Sequence, residues 1–415
     1  MPLALSMSTP SSSNGRHAPR VLLIAPSLEI LGGQAVQAAR LLEQLRKEDA
    51  LVIEFLPMNP RLPGPLSLLQ RIKYVRTVAT VLTFVVKLLA RLPRYDILHV
   101  FAAGYFSFWW APTPAILLGK AFGKKVILNY RDGRAEDHLR TWRTAIPVIR
   151  KADLIVAPSG FLVDVFAKFG LPARSIFNVI DERYCYRQRR RPRRGPVFLH
   201  NRILEPLYNV ECTLRAFALI QQRYPDASLT IAHEGVSRPA LERLAAELTL
   251  RNTRFIGSVP QDRMGEVLDA ADVYLTTPNI DCMPGSLLEC FAVGLPIVAT
   301  RAGGIPYIVT HEQTGLLVPC DDHEALAAAA LRLLEDDALV LRLTTNARRE
   351  LERYRWPQIR DKWLGVYREL TDVKSGWAKS DARSVPVRQQ GSPVEAGRAG
   401  AESAPARSAP HLPAA

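Results

Sequence analysis

The feature that most restricts this chain is an alternation, run through twice, of short unbroken aliphatic or β-branched stretches with longer segments of helical character. Val21–Ala25, Leu51–Phe55, Ile97–Phe101, Val126–Leu128 and Leu154–Val156 read as strands of a first half. Val197–Leu199, Leu229–Ala232, Thr253–Ile256, Val273–Leu275, Ile297–Ala299 and Leu316–Val318 repeat the pattern in a second. Strands that are apolar at every position are covered on both faces, and intervening helices impose parallel pairing, so the pattern calls for two α/β domains with parallel sheets. Ligands of such doubly wound domains bind beyond the carboxyl ends of the strands. Chemistry is therefore expected in loops after strands, in a cleft between the two halves.

A length of 415 residues accommodates two or three domains, and 48% apolar with 23% charged residues is a globular mix. The five cysteines are odd in number and show neither C-x-x-C nor a Cys/His cluster at zinc spacing, which argues against a disulfide framework and a structural zinc. No H-E-x-x-H or Asp-x-Asp arrangement suggests a catalytic metal either.

The net charge of +14 is unevenly spread: +11 in residues 1–181, +6 in 182–195, −5 in 196–375 and +2 in 376–415. The run Arg187-Gln188-Arg189-Arg190-Arg191-Pro192-Arg193-Arg194 repels itself and reads as an exposed linker, with nuclear import or RNA binding as alternatives. A nucleic-acid binder is the weakest class, because the aromatics are not interleaved with these arginines as a stacking platform needs.

Residues 1–19 and 376–415, rich in Ser, Ala, Pro and Gly, are expected to be disordered. No apolar run follows a basic start, so no signal peptide is evident and a cytoplasmic location is expected. Ile97 to Gly119 carries no charge and is long enough for a membrane span. Its His99, Gly104, Pro112 and Pro114 fit better a strand, a loop and a helix starting near Pro112.

The segment Asn279-Ile280-Asp281-Cys282-Met283-Pro284-Gly285-Ser286-Leu287-Leu288-Glu289 follows the strand Val273–Leu275. Pro284 suits a first helical position, which would leave the N–H groups of Gly285, Ser286 and Leu287 pointing out of a helix N-terminus, a site for a diphosphate. Asp281 before the helix and Glu289 in its second turn would flank that site. Carboxylates beside a phosphate make sense if they accept hydrogen bonds from hydroxyls of the same ligand, as a nucleotide sugar supplies. Taken alone, the segment also fits an N-capping Asp and a solvated Glu.

Asp281 to Pro306 resembles the donor-binding core of family 4 of the retaining glycosyltransferases, whose GT-B fold is two facing Rossmann-like domains. The family has Glu, seven residues, then Glu; here Asp281, seven residues, then Glu289 are followed by Cys290-Phe291-Ala292-Val293-Gly294-Leu295-Pro296 and Gly303-Gly304-Ile305-Pro306. The resemblance implies that Glu289 binds the ribose hydroxyls, Asp281 contacts the transferred sugar, and Gly285 with Ser286 touches the diphosphate. It extends over roughly residues 20–370, with Gly32-Gly33 as the family's glycine loop, Asn178-Val179-Ile180-Asp181 as its domain-closing segment, Phe255-Ile256-Gly257 near the base, Arg202 as the phosphate-binding arginine and Trp356 to Leu370 as the closing helix.

Four departures stand out. The lysine expected about five residues after Arg202 is missing from Leu204-Glu205-Pro206-Leu207-Tyr208-Asn209, and losing such a charge partner can cost on the order of 10²–10³ in rate. Arg131 stands where many relatives have a histidine and is the candidate replacement cation, unless it pairs with Asp132 or Glu136. Tyr307 takes the place of a common Glu, and His233-Glu234-Gly235 that of a Gly-x-Gly.

Residues 55–95 contain no Asp or Glu, and Lys73, Arg76, Lys87 and Arg91 fall on one side of a helix whose remainder is largely apolar. Such a helix suits an anionic membrane surface, with Tyr105, Phe106, Phe108, Trp109 and Trp110 as an aromatic anchor; the alternative is that the apolar side is core.

The expectation is an α/β protein of GT-B fold: an acceptor domain over 20–181, an Arg-rich linker over 182–195, a donor domain over 196–355 and a cross-over helix over 356–375. It would move a sugar from a nucleoside-diphosphate sugar to a hydroxyl of a glycan or lipid-linked acceptor with retention, without metal or cofactor. Asp281 and Arg202 would act at the reacting centre, and Glu289, Gly285, Ser286, Leu287, Gly33 and Arg131 would hold the donor. The expected setting is peripheral, on the cytoplasmic face of the cell membrane. The rivals are a non-catalytic scaffold of the same fold, motivated by the missing lysine, and an epimerase, whose carboxylates and histidines are not recognisable here.

Overall fold

The computed structural model describes residues 18–28, 32–61, 73–188 and 195–372. The first half runs β1 (Arg20–Ala25), α1 (Gly33–Leu45), β2 (Val52–Pro57), α2 (Lys73–Arg91), β3 (Ile97–Ala102), α3 (Phe106–Trp110), α4 (Pro112–Ala121), β4 (Lys125–Tyr130), α5 (Ala135–Thr141), α6 (Ala145–Ile149), β5 (Leu154–Ala157), α7 (Gly160–Ala167) and β6 (Ala173–Ser175). The strands pair in parallel in the order β2-β1-β3-β4-β5-β6. The uncharged stretch 97–119 divides into β3, α3 and α4, with Pro112 in the first turn where its missing N–H costs nothing. The edge strand β6 was not signalled, because Ala-Arg-Ser is short and carries no β-branched residue.

The second half runs β7 (Val197–Asn201), α8 (Val210–Arg223), β8 (Ser228–Ala232), α9 (Arg238–Glu247), β9 (Thr253–Gly257), α10 (Met264–Asp269), β10 (Val273–Thr276), α11 (Gly285–Val293), β11 (Ile297–Thr300), β12 (Leu316–Val318), α12 (His323–Glu335), α13 (Asp337–Leu351) and α14 (Trp356–Asp372). Its parallel order is β12-β11-β10-β7-β8-β9. Strand order reverses between β7 and β10, so the loops after these two strands open a crevice at the carboxyl edge of the sheet.

Alternate strand residues serve opposite faces of this sheet. Phe198, Leu229, Ile231, Val273, Leu275 and Val298 pack with residues of α8 and α12, while Leu199, Tyr274, Ile297 and Ala299 pack with α10 and α11. Each large side chain so buried contributes about 1.5–3 kcal/mol relative to exposure, which is why the sheets read as continuous apolar runs.

Helix α14 crosses back to the first half, as expected. Its Trp356, Ile359, Trp363, Leu364, Val366 and Tyr367 share a core with Leu23, Ala25, Phe101 and Val156. Polar contacts fix its register: Trp356 Nε1 and Arg360 Nε donate to Glu48 at 3.2 and 2.8 Å, Arg174 pairs with Glu369, and the Tyr367 hydroxyl lies 2.8 Å from His99 Nδ1.

Helix α2 departs from the simple picture of a core-facing apolar side. Phe84 and Leu88 are buried, but Val78, Leu82 and Val86 are 55%, 60% and 64% exposed, and Val75 and Leu89 continue the same stripe at spacings of three and four. Of the four expected cations, Arg76 and Lys87 are exposed, whereas Arg91 turns inward and donates to the Phe55 carbonyl at 3.1 Å. The side chain of Lys73 lies outside the described residues, as do 1–17, Arg189 to Arg194 of the expected linker, and 373–415. Among the described residues no helix is long and apolar enough to cross a membrane.

Candidate active site

The N-terminus of α11 stands in the crevice after β10. Pro284 has φ −66° and ψ 118°, so it is extended and caps the helix, which opens at Gly285, one residue later than the sequence suggested. The Leu287 N–H bends back to the Pro284 carbonyl at 3.3 Å, leaving those of Gly285 and Ser286 at the helix end. The Ser286 hydroxyl receives a 2.9 Å hydrogen bond from the Tyr274 hydroxyl. Glycine is required at the helix exit, where Gly294 closes α11 at φ +72°.

The Asp281 loop is set by the turn that follows β11. Gly304 N–H donates to the Asp281 carbonyl at 2.7 Å, and a Cβ on Gly303 or Gly304 would collide with the backbone of Asp281 or Cys282. Held this way, Asp281 is 8% exposed and its carboxylate pairs with the guanidinium of Arg202, which leaves the end of β7. Burial alone would lower the pKa of Arg202, but Asp281 beside it more than restores it, so the guanidinium stays charged. Burial pushes the Asp281 carboxyl up, against the pull of Arg202 and of the N–H groups of Met283 and Cys282. The guanidinium lies 4.5 Å over the Tyr208 ring, in the segment where a lysine was expected, and its Nε has no hydrogen-bond partner.

Glu289 is 7% exposed on α11 and is reached from the other half of the molecule. Arg40, on α1, places Nη2 3.1 Å from its carboxylate and 3.9 Å from that of Asp181. Gln261 donates to Glu289 at 3.3 Å and to the Tyr184 hydroxyl at 2.8 Å. Arg40, Gln261 and Tyr184 were missed by sequence reasoning. A single arginine on an amphipathic helix carries no mark of the partner 249 positions away that it meets.

Other contacts close the cleft. Gly33 opens α1, which carries Gln37 to Val179 N–H at 3.1 Å. Asn178 donates to the Met283 carbonyl at 3.2 Å, Cys282 Sγ approaches the Arg131 carbonyl at 3.6 Å, and Tyr307 donates to Asp164 at 2.5 Å. The structure brings Asp281, Arg202, Glu289 and the α11 terminus together in one half. Arg131 instead turns toward its own half: its guanidinium donates to Asn178 and Asn129 and lies 5.0 Å over Phe101. It pairs there with amides, and with neither Asp132 nor Glu136. Among the described residues no three His, Cys, Asp or Glu side chains gather as a metal site would need.

Two sheets facing a cleft, with a helix N-terminus and an arginine between two carboxylates, define the class. Residues 31–184 match the model of Glycosyltransferase Family 4, and residues 186–350 that of Glycosyl transferases group 1. The chain belongs to these glycosyltransferases and has their GT-B fold. It is 33% identical over 175 residues to a D-inositol 3-phosphate glycosyltransferase of Corynebacterium urealyticum, covering 40% of this chain and 41% of that one. It spans 36% of the length of amylovoran biosynthesis glycosyltransferase AmsK of Erwinia amylovora and 66% of that of a glycogen synthase of Mycobacterium tuberculosis. Sucrose-phosphate synthase from Thermosynechococcus elongatus has the same fold at a TM-score of 0.72 and 20% identity, over 85% of this chain and 99% of that one. Anabaena HepE, solved in complex with UDP-glucose, aligns at 0.64 and 17% identity, over 84% and 98%.

Proposed function

We propose that this protein transfers a glycosyl group from a nucleoside-diphosphate sugar to a hydroxyl acceptor with retention, the leaving diphosphate being received by arginine and backbone N–H groups without a metal. The observation that carries the reading is the placement of Arg202 and Asp281 at the free end of α11, with Glu289 one helical turn deeper. Such a site has a cation and N–H donors for a diphosphate and two carboxylates for the hydroxyls on either side of it. Binding would exchange Arg40 for ribose at Glu289 and turn Arg202 from Asp281 toward phosphate. Glu289→Gln should raise the donor KM by roughly tenfold, since a hydrogen bond to a charged group contributes about 1.5–3 kcal/mol. Unchanged donor kinetics in that variant would refute the assignment.

The rival of a scaffold without activity gains one observation, the Tyr208 ring over Arg202 where a second cation was expected. Slow hydrolysis of a nucleotide sugar that disappears in Arg202→Ala would exclude it.

We further propose that the acceptor, lipid-linked or a polysaccharide precursor, is met at an anionic membrane. The exposed stripe Val75, Val78, Leu82, Val86 and Leu89, with Arg76 and Lys87 on its flank, supports this, since apolar insertion and cationic attraction act together on such a surface. Leu82→Glu with Val86→Glu should abolish binding to phosphatidylglycerol vesicles at low salt. Wild-type protein that ignores such vesicles would refute the proposal.

A further inference from the structure

The loop after β8 holds a residue in a backbone geometry that its side chain resists. His233 has φ +126°, a value that glycine reaches freely and L-residues rarely adopt. The loop is pinned on both sides. The His233 N–H donates to the Gly257 carbonyl at 2.7 Å, Leu204 N–H donates to the Glu234 carbonyl at 3.1 Å, and Ser237 N–H donates to the Leu204 carbonyl at 2.8 Å. A Cβ on Gly235 would collide with the backbone of Leu204, so the loop after β8 is clamped onto the loop after β7.

That clamp places His233 beside Arg202. Strands β7 and β8 are parallel neighbours whose last register pair is Asn201 with Ala232, so Arg202 and His233 each stand one step past that pair, at the carboxyl edge where the crevice opens. The imidazole is oriented from below: its Nδ1 accepts the Glu234 N–H at 3.0 Å and lies 3.3 Å from the Glu234 carbonyl. When Nδ1 accepts the Glu234 N–H, the shorter of the two contacts, the proton of the neutral ring is on Nε2; the protonated ring donates from both nitrogens, Nδ1 then to the Glu234 carbonyl. Among the described residues no hydrogen bond to Nε2 is formed. A glycine would relieve the backbone and a lysine is missing from the loop after β7, so the strain is retained at the position where a second donor is wanted.

Resting on the donor-site reading above, we propose that His233 is a further binding residue, donating Nε2–H to the diphosphate of the nucleotide sugar beside Arg202 and gaining a proton when the diphosphate binds. The charged groups around the ring are Arg202 and Glu205 from the loop after β7 and Glu234 from its own loop; β9 presents the Gly257 carbonyl. Burial lowers the proton affinity of the ring most and the charge of Arg202 adds to it, while the hydrogen bond to the Glu234 carbonyl and the charges of Glu234 and Glu205 oppose. A diphosphate brings about two negative charges against Arg202 and reverses that balance. The ring is neutral before binding at pH 7 and charged after it, and a charged donor holds phosphate more strongly than a neutral one.

The test is calorimetric titration of uridine, guanosine and adenosine diphosphates and of inorganic pyrophosphate at pH 7, in buffers of different ionisation enthalpy, on wild type, His233→Gly and His233→Asn. Wild type should take up a fraction of a proton with the diphosphate it prefers. Both variants should bind that ligand roughly tenfold more weakly and lose the uptake, the change expected on removing one charge-assisted hydrogen bond. His233→Gly should unfold at the same temperature as wild type or higher, because it relieves the backbone. Equal affinity and equal proton uptake in wild type and both variants would overturn the proposal and leave the donor site standing. Failure of wild type to bind any of the four ligands would overturn the donor-site reading and this proposal with it.

Discussion

Replacing Arg202 by Ala tests the electrostatics of the site independently of any substrate. The side chains of Arg202 and Asp281 are 15% and 7% exposed, so the variant leaves a carboxylate with little access to water and without its cation. Removing one partner of a buried pair costs about 3–5 kcal/mol, and the residual exposure of Arg202 places this pair near the lower figure. Burial already pushes the Asp281 carboxyl up, and the variant deletes the guanidinium that opposes the rise. A carboxyl whose folded pKa is raised binds more protons folded than unfolded. Stability relative to wild type is therefore lost as pH rises from the unfolded value near 3.9 through the raised folded one, and the full penalty is present above it. Urea denaturation of both proteins at pH 5 and pH 8 measures this directly. The deficit should be largest at pH 8 and smaller at pH 5, and adding Asp281→Asn should recover most of it at pH 8. A deficit that is the same at both pH values, or that Asp281→Asn does not reduce, would refute the account of a charge pair and point to lost packing against Tyr208.

Two further substitutions test the supports of the site. Gly304→Ala forces a methyl group into the Cys282 backbone and should displace the Asp281 loop, so that nucleoside-diphosphate binding, read by thermal shift, is lost together with some stability. Glu48→Ala removes the acceptor of the Trp356 indole N–H, and urea denaturation should show a loss of about 1–3 kcal/mol, the cost of leaving that largely buried donor unpaired where α14 docks on the first half, while the exposed Arg360 keeps Asp361 and water.

The sheets were legible because burial on both faces writes itself into the sequence as unbroken apolar runs, and all eleven expected strands are present. The Asp281–Glu289 segment was legible for a different reason: its carboxylates, glycine and helix start sit within one loop and two helical turns. What escaped was long-range pairing. Arg40 meets Glu289 through α1, and Arg131 turns toward Asn129 and Asn178 although its position after β4 suggested the cleft. The Pro284 boundary was misplaced by one residue because proline fixes φ but leaves ψ to the loop, and ψ decides whether the helix has begun. The apolar stripe of α2 was visible as a period, but periodicity alone does not say whether a neighbour covers it.

The charges gathered at the proposed donor site nearly cancel: Arg202 against Asp281, and Arg40 against Glu289. A site in balance cannot take up a diphosphate carrying about two negative charges unless it gains positive charge or gives up negative charge as it binds. The free N–H groups of α11 supply about half a charge. Arg131 is held by amides in the other half, and the chain from residue 196 to 375, at −5, offers no excess. The proton uptake proposed for His233, the neighbour of Arg202, would close that gap with a group already in place. Donor affinity in this protein should therefore weaken as pH rises above neutrality, more steeply than the titration of the ligand phosphate alone accounts for. Flat affinity between pH 6 and 8, after correction for that phosphate, would mean that the balance is tipped by rearrangement of Arg40 or Arg131.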